Sequence, residues 1–354
     1  MKRCTIVYNP VSGKKANFNV LPQFQKILEK YGYDSNIIFT KYKGHATEIV
    51  RDLEPVDLVI SIGGDGTFNE AVTGNFMRED RLVCAHIPCG TTNDIGAMMG
   101  YGKNMINNLK MTLEGVTKRI DICMINDKPF IYVAAIGKFA NIPYETPRKL
   151  KKNIGYLAYI SEGVKSFFNK TKLQEIIYEI DGVQYRGLFS FLIISSANRI
   201  SGINNFYKDV KLDDDKFEVL LCNITKKTDI IKSLYLLTMY DVSKVPGIYS
   251  YKTNNLKIRF LEKPKKAWCV DGEKLDNDGL EYEIKIDNGL KMMIPGKNVD
   301  KLFVRKKIKW KNLLFIWLSY IKRFLGRGII VVSINRLVLI MRLVLLMKWV
   351  YLKD

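Results

Sequence analysis

Residues Ile62 to Glu70 read Ile-Gly-Gly-Asp-Gly-Thr-Phe-Asn-Glu, after a strand-like run and at the start of a helical one. Glycines at a strand end let backbone N–H groups approach phosphate oxygens with no Cβ in the way. A helix N-terminus adds partial positive charge. Asp65 would put a carboxylate beside those phosphates, where a hydrated Mg²⁺ needs one. Taken alone, the segment has a second reading, a glycine-rich turn with Asp65 as a helix cap.

Two other strand ends change that weighing. Asn9-Pro10-Val11-Ser12-Gly13-Lys14 follows the first apolar run and offers a hydroxyl, backbone donors and Lys14. It lacks the full Walker A spacing. Pro88-Cys89-Gly90-Thr91-Thr92-Asn93-Asp94 follows another run and supplies two hydroxyls, an amide and a carboxylate. Each loop alone reads as a turn. Three polar, glycine-bearing loops after three strands of one sheet point to a phosphate site. Further on, Asp213-Asp214-Asp215 reads by itself as a solvated turn, and Asp271-Gly272-Glu273 as an ordinary β-turn.

The elements that hold these loops are legible in the hydrophobic pattern. Strand-like runs occur at Thr5–Tyr8, Asn36–Phe39, Asp57–Ile62 and Val83–Ile87. Phe18, Leu21, Phe24, Ile27 and Leu28 fall at helix spacing, and Thr47 to Leu53 reads as a second helix. Alternation of this kind predicts α/β architecture, a parallel sheet with helices on both faces. Ligands on such sheets bind at the carboxyl ends of strands. After about Ile120 the pattern changes. Phe130–Ala135, Glu175–Ile180, Leu188–Ile194, Phe217–Leu221, Leu256–Phe260 and Tyr282–Ile286 are strand-like, interrupted by helices near 150–168 and 229–239. The expected division is 1–125, an α/β domain; 126–304, a mainly antiparallel β domain whose last strand returns to the first; and 305–354, a tail.

The composition is globular: 354 residues, 47% hydrophobic and 26% charged. The cysteines Cys4, Cys84, Cys89, Cys123, Cys222 and Cys269 form no CxxC pair and have no histidine at metal spacing. They read as small core residues of a reduced cytosolic protein. The N-terminus starts directly with a strand-like run and shows no signal-peptide pattern. His45 at a helix start and His86 in a strand run read as structural.

NPVSGK, GGDGTFNE and PCGTTND, in this order and spacing, resemble the nucleotide-binding domain of the diacylglycerol kinase family, which includes sphingosine and ceramide kinases. Tyr144 to Lys151, Lys211-Leu212-Asp213-Asp214 and Val270-Asp271-Gly272-Glu273 look like its soluble bacterial branch. The resemblance covers roughly residues 3 to 304. GGDG alone is shared with NAD kinases and phosphofructokinases; the set is specific. It implies two domains with ATP in the cleft between them. By matching position, ATP contacts come from Asn9, Pro10, Val11, Ser12, Gly13, Thr40, Gly63, Gly64, Asp65, Gly66, Thr67, Phe68, Asn69 and Thr91. It implies Glu273 as general base, with Asp65 also catalytic. A Mg²⁺ is implied at the Asp214 side chain and the backbone carbonyls of Lys211 and Lys216, with Asp94 and Asp213 in a supporting acidic network. Asp215 departs from the pattern, where a glycine is usual.

The excess of basic residues is the remaining signal. Fifty-six Lys and Arg against 36 Asp and Glu leave +20, and residues 301–354 alone carry +12. Their apolar stretch between Lys311 and Lys322 holds ten uncharged residues, too few to span a bilayer as a helix. Arg336 and Arg342 interrupt the second stretch, at about 2.5 kcal/mol or more for a central arginine in a span. The pattern suits a helix lying in an anionic headgroup region. So much Leu and Ile argues against nucleic acid. The expectation is an ATP- and Mg²⁺-dependent lipid kinase, cytoplasmic and peripheral to the membrane, with diacylglycerol as default substrate and a homodimer left open. Another lipid acceptor, an NAD-kinase-like enzyme and a non-catalytic nucleotide-binding protein are the alternatives.

Overall fold

Four apolar runs bounded by glycine or proline build the sheet that carries the three loops. A computed structural model describes residues 1–13, 18–90, 93–137, 173–197, 199–200, 203–204, 210–224, 245–275, 279–296 and 299–304. Strands β1 (Lys2–Tyr8), β2 (Tyr33–Phe39), β3 (Leu58–Gly63) and β4 (Cys84–Pro88) are parallel, in the order β2-β1-β3-β4. Helices α1 (Leu21–Lys30), α2 (His45–Asp52) and α3 (Asp65–Phe76) connect them; α4 (Asp94–Met98) and α5 (Met105–Leu113) follow β4. Pro22 stands in the first turn of α1, where its missing N–H costs nothing. Leu21, Phe24 and Leu28 of α1 bury in one cluster with Ile6, Ile60 and Ile62. β3 and β4 are buried along their whole length, as central parallel strands covered on both faces must be.

The second half is antiparallel. Its strands are β5 (Val116–Ile125), β6 (Lys128–Phe130), β7 (Val133–Gly137), β8 (Gln174–Ile180), β9 (Val183–Phe189), β10 (Phe191–Ser195), β11 (Arg199–Ile200), β12 (Ile203–Asn204), β13 (Phe217–Cys222), β14 (Ile248–Thr253), β15 (Asn255–Phe260), β16 (Trp268–Val270), β17 (Glu273–Leu275) and β18 (Glu281–Ile294). One separate sheet runs β14-β13-β10-β7-β16-β17, and β11 pairs with β12. The others extend the first sheet to ten strands. β18 is the joint. Glu281–Lys285 pair with β15, and Met292 pairs with Cys84 of β4. Met1–Val304 form one compact unit.

Two expected strands each divide. The run Phe130–Ala135 breaks at Ile131 and Tyr132, whose amides donate to the Asp271 carboxylate instead of a ladder. The run Leu188–Ile194 breaks at Ser190, where the chain leaves one sheet for the other. There the Ser190 amide and hydroxyl both donate to the Cys222 carbonyl. The helices expected near 150–168 and 229–239, the segment Tyr144 to Lys151, and the tail 305–354 lie outside the described residues. Among the described residues no helix is long and apolar enough to cross a membrane.

Candidate active site

The three loops after β1, β3 and β4 meet backbone to backbone. The Cys89 amide donates to the Gly63 carbonyl at 2.7 Å. A Cβ on Gly90 would stand 2.6 Å from the Gly64 Cα, and one on Gly13 2.2 Å from the Cys89 carbonyl oxygen. Glycine is required there because the loops are in contact, and at Gly13 also because φ is +77°. The Asn9 amide group donates to Thr67 Oγ1 at 2.9 Å, and Asn9 Oδ1 accepts from the Val11 amide at 3.1 Å. Pro10 and Ser12 lie in the same turn. Thr40 follows β2, buried, with its amide on the Tyr8 carbonyl. Phe68 is buried and stacks on His86, ring centroids 4.8 Å apart. Thr91 lies outside the described residues.

Helix α3 organises its neighbours with its own polar side chains. Asp65 Oδ2 accepts from the Asp94 amide at 3.0 Å and Oδ1 from the Ile95 amide at 3.2 Å, so its carboxylate caps α4. Glu70 accepts from the Gly44 and Ala46 amides at 2.9 and 3.3 Å and caps α2. Gly64, the N-cap of α3, has no side chain to cap it, and the helix N-terminus opens directly after it. Burial, and then repulsion from Asp94, push the Asp65 carboxyl up to about 7; Asp271 adds a smaller push. Burial, with Asp65, Asp271 and Asp94 nearby, also pushes the Tyr132 hydroxyl well up, so it stays a donor. These donors are all oxygen, the preference of a hard cation such as Mg²⁺. Among the described residues no three His, Cys, Asp or Glu side chains converge as ready ligands for one ion. The set therefore fits Mg²⁺ held mainly by nucleotide phosphates and water, with carboxylates around it.

Asp271 ties this helix to the second half of the chain. Its carboxylate accepts from the amides of Ile131, Tyr132 and Val133 at 2.6, 3.1 and 3.0 Å and from the Asn69 amide group at 2.6 Å. Burial nevertheless raises its pKa, more than those donors lower it. Asp271 and Gly272 both have positive φ and form the two-residue turn between β16 and β17, with Val270 paired to Glu273. That is the requirement of a type I′ hairpin. The turn delivers Glu273 to α3: a Cβ on Gly66 would lie 3.8 Å from Glu273 Oε1. Glu273 Oε2 pairs with Lys43 Nζ at 2.5 Å. Sequence reasoning missed Lys43, Tyr132 and the role of Asp271. The Asp-Gly pair between apolar runs was the one available signal for the last.

The acidic turn before β13 is separately tied. Asp213 Oδ1 accepts from the Val304 amide at 2.6 Å. Asp214 Oδ2 faces Lys252 Nζ at 2.8 Å. Lys211 Nζ donates to the Lys301 carbonyl, and Lys216 is exposed.

Residues 3–125 match the family model described as the diacylglycerol kinase catalytic domain. The chain is 32% identical over 291 residues to the diacylglycerol kinase of Staphylococcus epidermidis, covering 81% of this chain and 91% of that one. The Staphylococcus saprophyticus diacylglycerol kinase is 31% identical over 259 residues, 73% of this chain and 85% of its own. A crystal structure of a diacylglycerol kinase from Bacillus anthracis superposes with a TM-score of 0.67, at 23% identity, covering 83% of this chain and 97% of that one.

Proposed function

The chain belongs to the diacylglycerol kinase family and is a lipid kinase, and we propose that it transfers the γ-phosphate of Mg²⁺-bound ATP to diacylglycerol, giving phosphatidic acid and ADP. The observation that carries this reading is the convergence of three glycine-bearing loops and the glycine-led N-terminus of α3 beneath Glu273. Backbone N–H groups of the first turn of α3 hold the phosphates, aided by the α3 dipole, with the 9–13 turn packed beside them. Mg²⁺, when bound, neutralises charge on the phosphates; Asp65, with Asp94 and Asp271 near it, would hold its hydration shell.

Glu273 accepts the proton of the lipid hydroxyl as that oxygen attacks the γ-phosphorus and the bond to the β-phosphate oxygen breaks. Lys43 holds one carboxylate oxygen and leaves the other directed at α3. The tail 305–354, basic and rich in Trp, Phe and Leu, lies on the anionic membrane that presents the lipid. The test is transfer from γ-labelled ATP to vesicles carrying diacylglycerol, a sphingoid base or a polyprenol in turn. Labelled phosphatidic acid as the main product is expected. Preferential labelling of another lipid overturns the substrate assignment.

A further inference from the structure

The turn at Asp213–Asp215 is where the family pattern implies a structural Mg²⁺, yet each of its three aspartates already has a protein partner. Asp213 holds the Val304 amide. Asp215 donates its amide to Asp121 Oδ2 at 2.7 Å, and its carboxylate accepts from the Asn288 amide group at 3.0 Å. Asp215 stands at φ +56°, a left-handed conformation that glycine adopts more easily. The departure from glycine thus carries a contact of its own.

Asp214 is the decisive member. Its Oδ2 lies 2.8 Å from Lys252 Nζ, and the same ammonium lies 3.2 Å from Glu218 Oε1. The Asp214 and Glu218 side chains are 17% and 9% exposed. Sheet register, rather than side-chain freedom, places the lysine. β13 and β14 are antiparallel, and Glu218 sits directly opposite Lys252. Directly opposed residues on a sheet are within reach of each other. A divalent ion on Asp214 would have to share the carboxylate with an ammonium already in contact, and like charges at that range repel strongly where water is scarce. As built, the turn does not fit the metal.

We propose that Lys252 is the internal cation of this turn and that the turn is held without a divalent metal. The proposal is independent of the phosphoryl-transfer reading, because it concerns how the body is held and not the nucleotide. It has a converse. Asp214 Oδ1 and Glu218 Oε2 are buried and accept no hydrogen bond from the described residues. If the ammonium is removed, these carboxylates become the ligands an added cation would find.

The test reads thermal stability of the full chain without nucleotide, in chelator and in millimolar Mg²⁺. Asp65→Asn is the parent, so that binding beside the nucleotide loops does not interfere. The parent's Tm should agree in the two conditions to within about 1 °C. Adding Lys252→Met should lower Tm by about 5 °C or more in chelator, since a partly buried pair is broken. Mg²⁺ should restore part of the loss. Lys252→Arg, which keeps the charge, should stay near the parent and insensitive to Mg²⁺; it serves if the methionine variant does not fold. A parent whose Tm falls on chelation, with the fall abolished by Asp214→Asn, overturns the proposal. So does an arginine variant that gains a Mg²⁺ response, or a methionine variant that folds as stably as the parent.

Discussion

Lys43 Nζ stands 2.5 Å from Glu273 Oε2, a pairing between residues 230 positions apart. Lys43 lies between β2 and α2, in the loop that Glu70 also grips. Glu273 opens β17. The two halves of the chain therefore meet at the proposed base, which is fixed from both sides: by the Asp271–Gly272 turn behind it and by Lys43 in front.

Removing the lysine should loosen the carboxylate and leave the nucleotide loops intact. Both side chains are about half exposed, 62% and 48%, so the pair is worth at most about 1 kcal/mol. Lys43→Met is expected to lower kcat by roughly three- to fivefold, with KM for ATP nearly unchanged and Lys43→Arg close to wild type. Steady-state kinetics on dispersed diacylglycerol checks this. A rise in KM for ATP with unchanged kcat would place Lys43 on the nucleotide instead.

Asp271→Asn should act on stability before chemistry. The substitution keeps the shape but turns one acceptor toward donors already fixed in place, the amides of Ile131–Val133 and Asn69. We expect a loss of about 3 kcal/mol in denaturant unfolding, the range for charge-assisted hydrogen bonds in a buried site. An unchanged midpoint would show that the latch carries little.

The pH dependence of stability has opposing sources: buried His86 on one side, and the raised carboxyls Asp65, Asp121 and Glu218 on the other. Burial lowers His86 from 6.5 to about 3. Below about 6.5 the unfolded chain takes up a proton that the native chain refuses, so stability falls as pH drops toward 3. Asp65, raised from 3.8 to about 7, does the reverse: the native carboxyl keeps its proton while the unfolded one ionises, and stability falls as pH rises from about 4 to 7. The two flatten the profile between. His86→Leu should remove the acid loss and expose the decline toward pH 7. Asp65→Asn should remove part of the decline toward pH 7 and make the acid loss more pronounced than in wild type. Relative to wild type, the slope of Tm against pH should therefore change in opposite directions in the two variants, and changes of the same sign would refute the assignment.

Deleting residues 305–354 should weaken vesicle binding more than chemistry. Met1–Val304 are one compact unit and hold every proposed site residue. The deleted residues 305–354 carry a net +11, and each basic residue near an anionic surface contributes roughly 1 kcal/mol, screened by salt. Flotation with anionic vesicles should show full-length protein bound at low salt and released at high salt, and truncated protein unbound. Retained binding after truncation would move the membrane contact to the body.

The three phosphate loops were legible because each follows a strand in a single local stretch, and glycine between apolar runs has few readings. What lay beyond sequence is long-range. The Asn69–Asp271 contact spans 202 positions, and no local pattern announces it. It also explains the broken strand at Ile131. The strand expected at Tyr282–Ile286 does not end there. Instead β18 runs on to Ile294 through a bulge, because Arg81 forks onto Asp287 at 2.7 and 2.9 Å. A Cβ on Gly289 would lie 1.9 Å from Arg81 Nη1, so the glycine makes room for an arginine rather than a turn. Asp65 was legible as a carboxylate beside the loops; that it caps α4 depends on where β4 delivers the next helix.

The account turns on Glu273 as the base above a nucleotide held by the three loops, and Glu273→Gln tests it most directly. Single-turnover transfer from γ-labelled ATP to diacylglycerol, measured beside the equilibrium binding of ATP, separates the two roles. The prediction is a fall in the transfer rate of at least about 10²-fold, the lower range for a lost general base, with ATP affinity within about twofold of wild type. Transfer close to the wild-type rate, or a collapse of ATP binding that accounts for the whole loss, would contradict it.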